Sequence, residues 1–184
     1  RVLDICTGSG ILAIEAALMG AAEVIAYDIS PLAVACASRN ARRAGVRVDA
    51  RVGTLDDARR AGPFDVVVSN PPYVPSDAPL RGTGPNRAWD AGADGRVVLD
   101  QLCDLAPDLV APGGSMLIVH SEFSDPPQTI RRFEHAGFES RQVAARVVGF
   151  GPVMHAYADR LEAAGLLEPG RRTEELVVIR VDRR

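Results

Sequence analysis

The chain has 184 residues, 24 of them acidic and 21 basic, with 47% apolar and 5% aromatic content. That length suits one hydrophobic core, so residues 1–184 are expected to form a single domain. A net charge of −3 with no basic run leaves little attraction for a polyanion and disfavours nucleic acid as a partner. Cys6, Cys36 and Cys103 are far apart and sit in apolar segments, which excludes a thiol metal site or a disulfide framework and reads as a reduced, cytoplasmic chain. The apolar run near Ile11 to Met19 is interrupted by Glu15 and is too short to cross a bilayer.

In chain order, Val2 to Ile5 predicts a strand, Thr7 to Gly10 a tight turn, and Ile11, Leu12, Ile14, Ala17 and Leu18 recur at helical spacing. Glu23 to Tyr27 predicts a second strand ending in Asp28. Ser30 and Pro31 open a helix that runs to about Arg43, with Gly45 as its stop. Val46 to Val52 alternates as a third strand, a short helix follows from Leu55 to Ala61, and Phe64 to Ser69 is apolar enough to be covered on both faces. From Asn70 to Asp94 periodicity stops in a stretch rich in proline and glycine, long enough to read as a functional loop.

A helix then runs from Val97 to Leu109, a strand from Ser115 to His120, a helix from Pro126 to Ala136 and strands from Phe138 to Val148 and Glu175 to Val181. The fold class is therefore α/β, Rossmann-like: a mostly parallel seven-stranded sheet with helices on both faces. No ordinary crossover helix joins the last two strands, so the last strand is expected to run antiparallel. Between them, 149–172 carries an amphipathic stretch that reads as a lid over the substrate or as a helix packed on the flank.

Ligands of open α/β sheets collect at the carboxyl ends of the strands. There, Gly8 and Gly10 allow a sharp turn and close backbone approach, and Asp28 is placed to accept both hydroxyls of an adenosyl ribose. Gly8 to Ala13 also satisfies a G-x-G-x-x-A dinucleotide pattern, so NAD stays open as an alternative. Asp4 argues against it, because a carboxylate just before the turn suits a cationic amino-acid group better than a pyrophosphate.

Asn70-Pro71-Pro72-Tyr73 follows the fourth strand directly. Two prolines fix φ and remove two N–H donors, leaving a rigid corner of carbonyl acceptors. The Asn70 side-chain oxygen and the Pro71 carbonyl can hold both hydrogens of a planar NH2 group while Tyr73 packs on its face. Such a grip serves transfer of an electrophilic methyl to a delocalised nitrogen, with no base required beforehand.

Taken together, VLDICTGSG, AYDIS and FDVVVSNPPYVP resemble the first, ribose-binding and catalytic motifs of class I S-adenosylmethionine-dependent methyltransferases, in the HemK-like branch that methylates glutamine in translation release factors. Ala88 to Arg96 (AWDAGADGR) resembles a segment of that branch which adenine-N6 enzymes rarely share. The resemblance implies S-adenosylmethionine as cofactor, with Asp4, Cys6, Thr7, Gly8, Ser9 and Gly10 around its methionine part, Asp28 and Ile29 at the ribose, and Thr54 and Leu55 near the adenine. Asn70, Pro71, Pro72 and Tyr73 would hold the accepting amide, Asn70 also bordering the cofactor.

The resemblance further implies a release-factor-like protein substrate, or a small-molecule amine or amide, with no metal and no membrane. Two positions depart from the pattern: Cys6 replaces the first glycine of the turn, and Thr54-Leu55 stands where an acidic residue and a larger side chain are usual. Most members of the branch carry sequence before the first strand, so an upstream region is expected. Adenine-N6 methylation and an NAD-dependent oxidoreductase remain the alternatives. His120 and Glu122 are read as hydrogen-bonding residues of the loop after the fifth strand, and His135 and His155 as solvated.

Overall fold

A computed structural model describes residues 1–75 and 91–184. The middle of the proline- and glycine-rich connection, including Ala88 to Asp90 of the Ala88 to Arg96 segment, lies outside the described residues. Seven strands form one sheet in the order β3-β2-β1-β4-β5-β7-β6. They are β1 (Val2–Ile5), β2 (Val24–Asp28), β3 (Asp49–Val52), β4 (Phe64–Ser69), β5 (Val110–Ser121), β6 (Glu139–Gly149) and β7 (Thr173–Asp182). Pairing is parallel from β3 through β5, and β7 runs antiparallel to both of its neighbours, as the missing crossover helix led one to expect.

The two faces are read directly from strand alternation. Leu3, Ile5, Ile25, Tyr27 and Val67 join one core with the helices α3 (Leu55–Ala61), α4 (Val97–Leu109) and α5 (Pro126–His135). Val2, Val24, Ala26 and Val66 face the other way, onto α1 (Ile11–Leu18). The helix α2 (Pro31–Arg43) packs beside α1 and against β2 and β3. Ser30 caps α2 by accepting from the Ala33 amide at 3.3 Å, and Pro31 occupies its first turn.

Three strand starts differ from the sequence reading by two residues or more. β3 starts at Asp49 rather than Val46. β5 starts at Val110, because pairing with β4 is interrupted by a register shift between Phe64 and Val66 that absorbs Pro112 to Gly114 into the strand. Glycine is required in that bulge: a Cβ at Gly114 would lie 2.8 Å from the Asp65 carbonyl oxygen. β7 begins at Thr173, which brings Glu174 into the sheet. His120, expected in a loop, is the penultimate residue of β5 and is fully buried.

The segment after β6 forms α6 (Pro152–Ala163). It buries Met154, Ala158 and Leu161 in a small core with Val74, Phe150 and Leu167. Tyr73 and Phe123 pack against the same cluster, so α6 leans on the corner that follows β4 rather than on the sheet's outer flank. Among the described residues, no helix is long and apolar enough to cross a membrane.

Candidate active site

β1 and β4 are adjacent central strands with Ile5 opposite Ser69, and the Ser69 hydroxyl donates to the Ile5 carbonyl at 2.7 Å. The Cys6–Gly10 turn and the Asn70–Tyr73 corner therefore leave the same sheet edge about 5 Å apart, one strand spacing. This is the edge where the strand order reverses, the usual ligand crevice of such sheets.

The turn takes its shape from positive φ at three alternate positions. Cys6, Gly8 and Gly10 have φ of 61°, 54° and 83°. A Cβ at Gly8 would enter open space, whereas one at Gly10 would lie 2.8 Å from the Ala37 Cβ of α2. Gly10 is thus fixed by packing, and Gly8 keeps the ligand side of the turn bare. Cys6 carries a side chain in a conformation that suits glycine, and that side chain packs on the main core as its departure from the pattern requires. Burial, reinforced by Asp28 and Asp4, pushes its thiol up to about 12.

Asp4 is 1% exposed. Its Oδ2 accepts from the Thr7 hydroxyl at 2.6 Å and the Ala13 amide at 3.0 Å, while Oδ1 is buried without a partner among the described residues. Desolvation outweighs those bonds and raises its pKa to about 6. Asp28 accepts from the Gly8 amide through Oδ2 and the Ser30 amide through Oδ1, both at 2.9 Å, so the turn and the end of β2 are bound together. Each of its oxygens retains a further lone pair. Ser9 is exposed, its carbonyl accepting from Asn40 at 2.9 Å, and Ile29 is 44% exposed beside Asp28.

Thr54 caps α3: its hydroxyl accepts from the Asp57 amide and donates to the Asp57 carboxylate, while that carboxylate accepts from the Thr54 amide. Its polar atoms are engaged in the cap, and Leu55 packs partly buried against the main core.

At the corner, Asn70 is exposed, Pro71 buried and Tyr73 half-buried. Burial, with Glu174 nearby, raises the Tyr73 phenol to about 12, so it stays protonated. A cavity of about 230 Å³ is lined by Asn70 to Val74, by Gly151 to Met154 at the start of α6, and by Glu174 of β7. The corner is held from behind, because the Ser124 hydroxyl donates to the Tyr73 carbonyl at 2.7 Å. Arg96, 2% exposed, donates to the Ser124 and Asp125 carbonyls and to the Thr129 hydroxyl, and pairs with Asp100 at 2.8 Å.

The sequence reading assembled the turn, Asp28 and the corner at one edge. It missed Glu174, Ser124 and the hub role of Arg96, whose roles depend on contacts between distant segments; only the resemblance around Arg96 hinted at one of them. His120 also departs from expectation. Its Nδ1 lies 3.1 Å from the Ser121 carbonyl, its Nε2 is buried without a partner among the described residues, and burial lowers its pKa to about 4, leaving a neutral ring. His135 and His155 are exposed, as expected.

The sheet order, the glycine turn and the proline-locked corner define a Rossmann-like methyltransferase. A family model described as ribosomal protein L11 methyltransferase (PrmA) matches residues 1–71. A Methanocaldococcus jannaschii protein bearing the name protein N5-glutamine methyltransferase is 33% identical over 161 residues, 87% of this chain and 81% of that one. The release factor glutamine methyltransferase of Geobacter sulfurreducens is 35% identical over 144 residues, 74% of this chain but 50% of the bacterial enzyme. The solved Mtq2–Trm112 complex of E. cuniculi, responsible for methylation of the termination factor eRF1, matches with a TM-score of 0.62 at 22% identity, over 100% of this chain and 84% of that one. The chain belongs to the protein N5-glutamine methyltransferase family. That membership sets aside the NAD-dependent oxidoreductase.

Proposed function

We propose that this chain transfers a methyl group from S-adenosylmethionine to the side-chain amide nitrogen of glutamine in a protein substrate of the release-factor type. The observation that carries the reading is the adjacency, one strand apart, of a bare glycine turn and a proline-locked corner of acceptors. The turn fits the cofactor on its own evidence. The unpartnered Asp4 Oδ1 suits an ammonium group, and the open space at Gly8 suits close backbone approach.

In this reading Asp4, Cys6, Thr7, Gly8, Ser9 and Gly10 hold the amino-acid end, Asp28 accepts from the ribose hydroxyls beside Ile29, and Leu55 flanks the adenine with Thr54 shaping the helix start. Bound there, S-adenosylmethionine would supply an electrophilic methyl to the acceptor nitrogen, with its sulfur leaving as a neutral thioether.

Asn70 Oδ1 and the Pro71 carbonyl each accept one hydrogen of the acceptor NH2, which fixes the nitrogen's orientation and favours a pyramidal geometry with an available lone pair. Pro72 stiffens that grip and the Tyr73 ring covers the flat face of the amide. The start of α6 forms the opposite wall, and we assign 149–172 as the cover that excludes water from the acceptor. Three free, widely separated thiols support a reducing, cytoplasmic setting.

The test is incubation with isotopically labelled S-adenosylmethionine, a glutamine-bearing release-factor peptide, duplex DNA and small primary amides, followed by mass spectrometry. Label on the glutamine side chain is the expected result. Label confined to adenine or to a small amide would overturn the acceptor assigned here.

A further inference from the structure

We infer that Glu174 is a catalytic residue of the acceptor cavity, taking the proton that the amide nitrogen sheds once it is methylated. The inference rests on the glutamine reading and adds a group that the corner itself does not supply.

Glu174 lines the same cavity as Asn70 and Tyr73 and is 5% exposed. Its Oε2 is buried without a hydrogen-bond partner among the described residues, while the carboxyl group takes a bond from Ser121. A buried carboxylate with a vacant oxygen is unfavourable unless something supplies a donor, and an acceptor N–H entering the cavity is such a donor. Among the described residues whose side chains line the cavity, only Tyr73 and Glu174 titrate. The phenol, raised to about 12, is already protonated, so among the described residues Glu174 is the lining group able to receive a proton.

The surroundings suit that task. Burial raises the Glu174 pKa above the ordinary carboxylate value and Glu122 pushes the same way, against the Ser121 bond and the Arg171 charge. Those two charged residues and Tyr73 face it, from the turn after β5, from the approach to β7 and from the corner. Arg171 is itself paired with Glu122, which also accepts from the Glu175 amide at 2.7 Å. A carboxylate made more basic by burial is a better proton acceptor near neutral pH.

The balance is complete. The primary amide nitrogen uses its lone pair to bond the methyl carbon and is left with a positive charge and one proton too many. That proton passes to Glu174 Oε2, turning carboxylate into carboxylic acid and the acceptor into a neutral N-methyl amide, and is then released to water. Before the proton moves, the carboxylate stabilises the charge developing on nitrogen.

The experiment compares wild type, Glu174→Gln and Glu174→Asp in single-turnover transfer to a glutamine-bearing peptide across mildly acid to alkaline pH. Calorimetric cofactor binding, thermal unfolding and infrared titration of the cofactor-free proteins accompany it. The expected result is a loss of about 10²-fold in the Gln variant, with its acid limb abolished. Cofactor binding stays unchanged and thermal stability is not lowered, and the Asp variant recovers part of the rate with the limb intact. A titrating carboxyl band absent from Glu174→Gln is expected in the infrared. A Gln variant that transfers at the wild-type rate with its acid limb intact overturns the inference alone. So does a rate loss that tracks lowered thermal stability and is not recovered by Asp. A wild-type protein that leaves glutamine unlabelled overturns the acceptor reading, and this inference with it.

Discussion

The Ser124 hydroxyl and the Tyr73 carbonyl meet at 2.7 Å, so the turn after β5 sets the height of the corner after β4. Gly95 passes through the same point: a Cβ there would lie 2.4 Å from the Tyr73 carbonyl oxygen and 2.9 Å from the Ser124 hydroxyl, and its φ is +71°. Gly95→Ala must therefore displace the corner or strain the backbone. We expect turnover to fall by roughly 10²-fold, the scale of a misplacement of about 1 Å, with stability reduced by about 1–3 kcal/mol. Steady-state kinetics and thermal unfolding of the variant check both.

Arg96 is the anchor behind that contact. Removing it leaves Asp100 with the longer Arg132 contact at 3.6 Å and frees the Ser124, Asp125 and Thr129 oxygens together. Arg96→Met is expected to cost about 3 kcal/mol or more, since three acceptors lose a donor at about 1–3 kcal/mol each. Arg96→Lys should recover little of this, since an ammonium cannot reproduce the guanidinium fork. Chemical denaturation measures the difference.

Asn70→Ala and Asp28→Ala should separate the two halves of the site. The first is expected to lower turnover by about 10²-fold or more with cofactor affinity nearly intact. The second removes hydrogen bonds to a charged acceptor and should weaken the cofactor by about 2 kcal/mol, roughly thirtyfold, with less effect on the chemical step. Calorimetry and single-turnover rates on both variants test the assignment, and the opposite ranking would refute it.

Two buried groups give stability opposite dependences on pH. The folded Asp4 pKa, about 6 against 3.8, lies above its unfolded value, so its contribution is fully present at low pH and is lost as pH rises through about 6. The magnitude is about 3 kcal/mol. Asp4→Asn is then more stable than wild type at neutral pH. If Asp4 faces the cofactor's ammonium, wild-type affinity weakens below pH of about 6 while that of the Asn variant stays flat. His120 has the reverse sign: its folded pKa, about 4 against 6.5, means that its contribution is present above 6.5 and is lost as pH falls through about 4. Unfolding curves of Asp4→Asn and His120→Leu from acid to neutral pH should bend in opposite directions relative to wild type.

Gly149 and Thr173 are paired across β6 and β7, and the Phe150 amide donates to the Arg172 carbonyl at 2.9 Å. A short glycine turn can therefore replace 151–171 without breaking the sheet. Such a variant is expected to bind cofactor normally and to show a raised KM for the peptide. Unchanged acceptor kinetics in a folded variant would remove the role of α6 as a cover.

The glycine turn and the proline corner were legible because each is contiguous and each restricts the backbone through its own residue types. The antiparallel last strand was expected for want of an ordinary crossover helix; α6 does lie between β6 and β7, but it packs on the corner after β4. Glu174 was not, since nothing about Thr173-Glu174-Glu175 distinguishes the inward carboxylate from the outward one until the register of β7 against β5 and β6 is known. The bulge that lengthens β5 was hidden for a related reason: Gly114 matters because the Asp65 carbonyl approaches it from another strand. The amphipathic character of α6 could be read, but the surface it leans on could not.

In the proposed reading Cys6 occupies the turn that faces an alkylating agent, and sulfur is ordinarily the most readily alkylated atom in a protein. Its left-handed backbone directs the thiol into the core, and its pKa of about 12 keeps the nucleophilic thiolate scarce at neutral pH. The geometry that lets cysteine stand in for glycine thus also guards the enzyme against modifying itself.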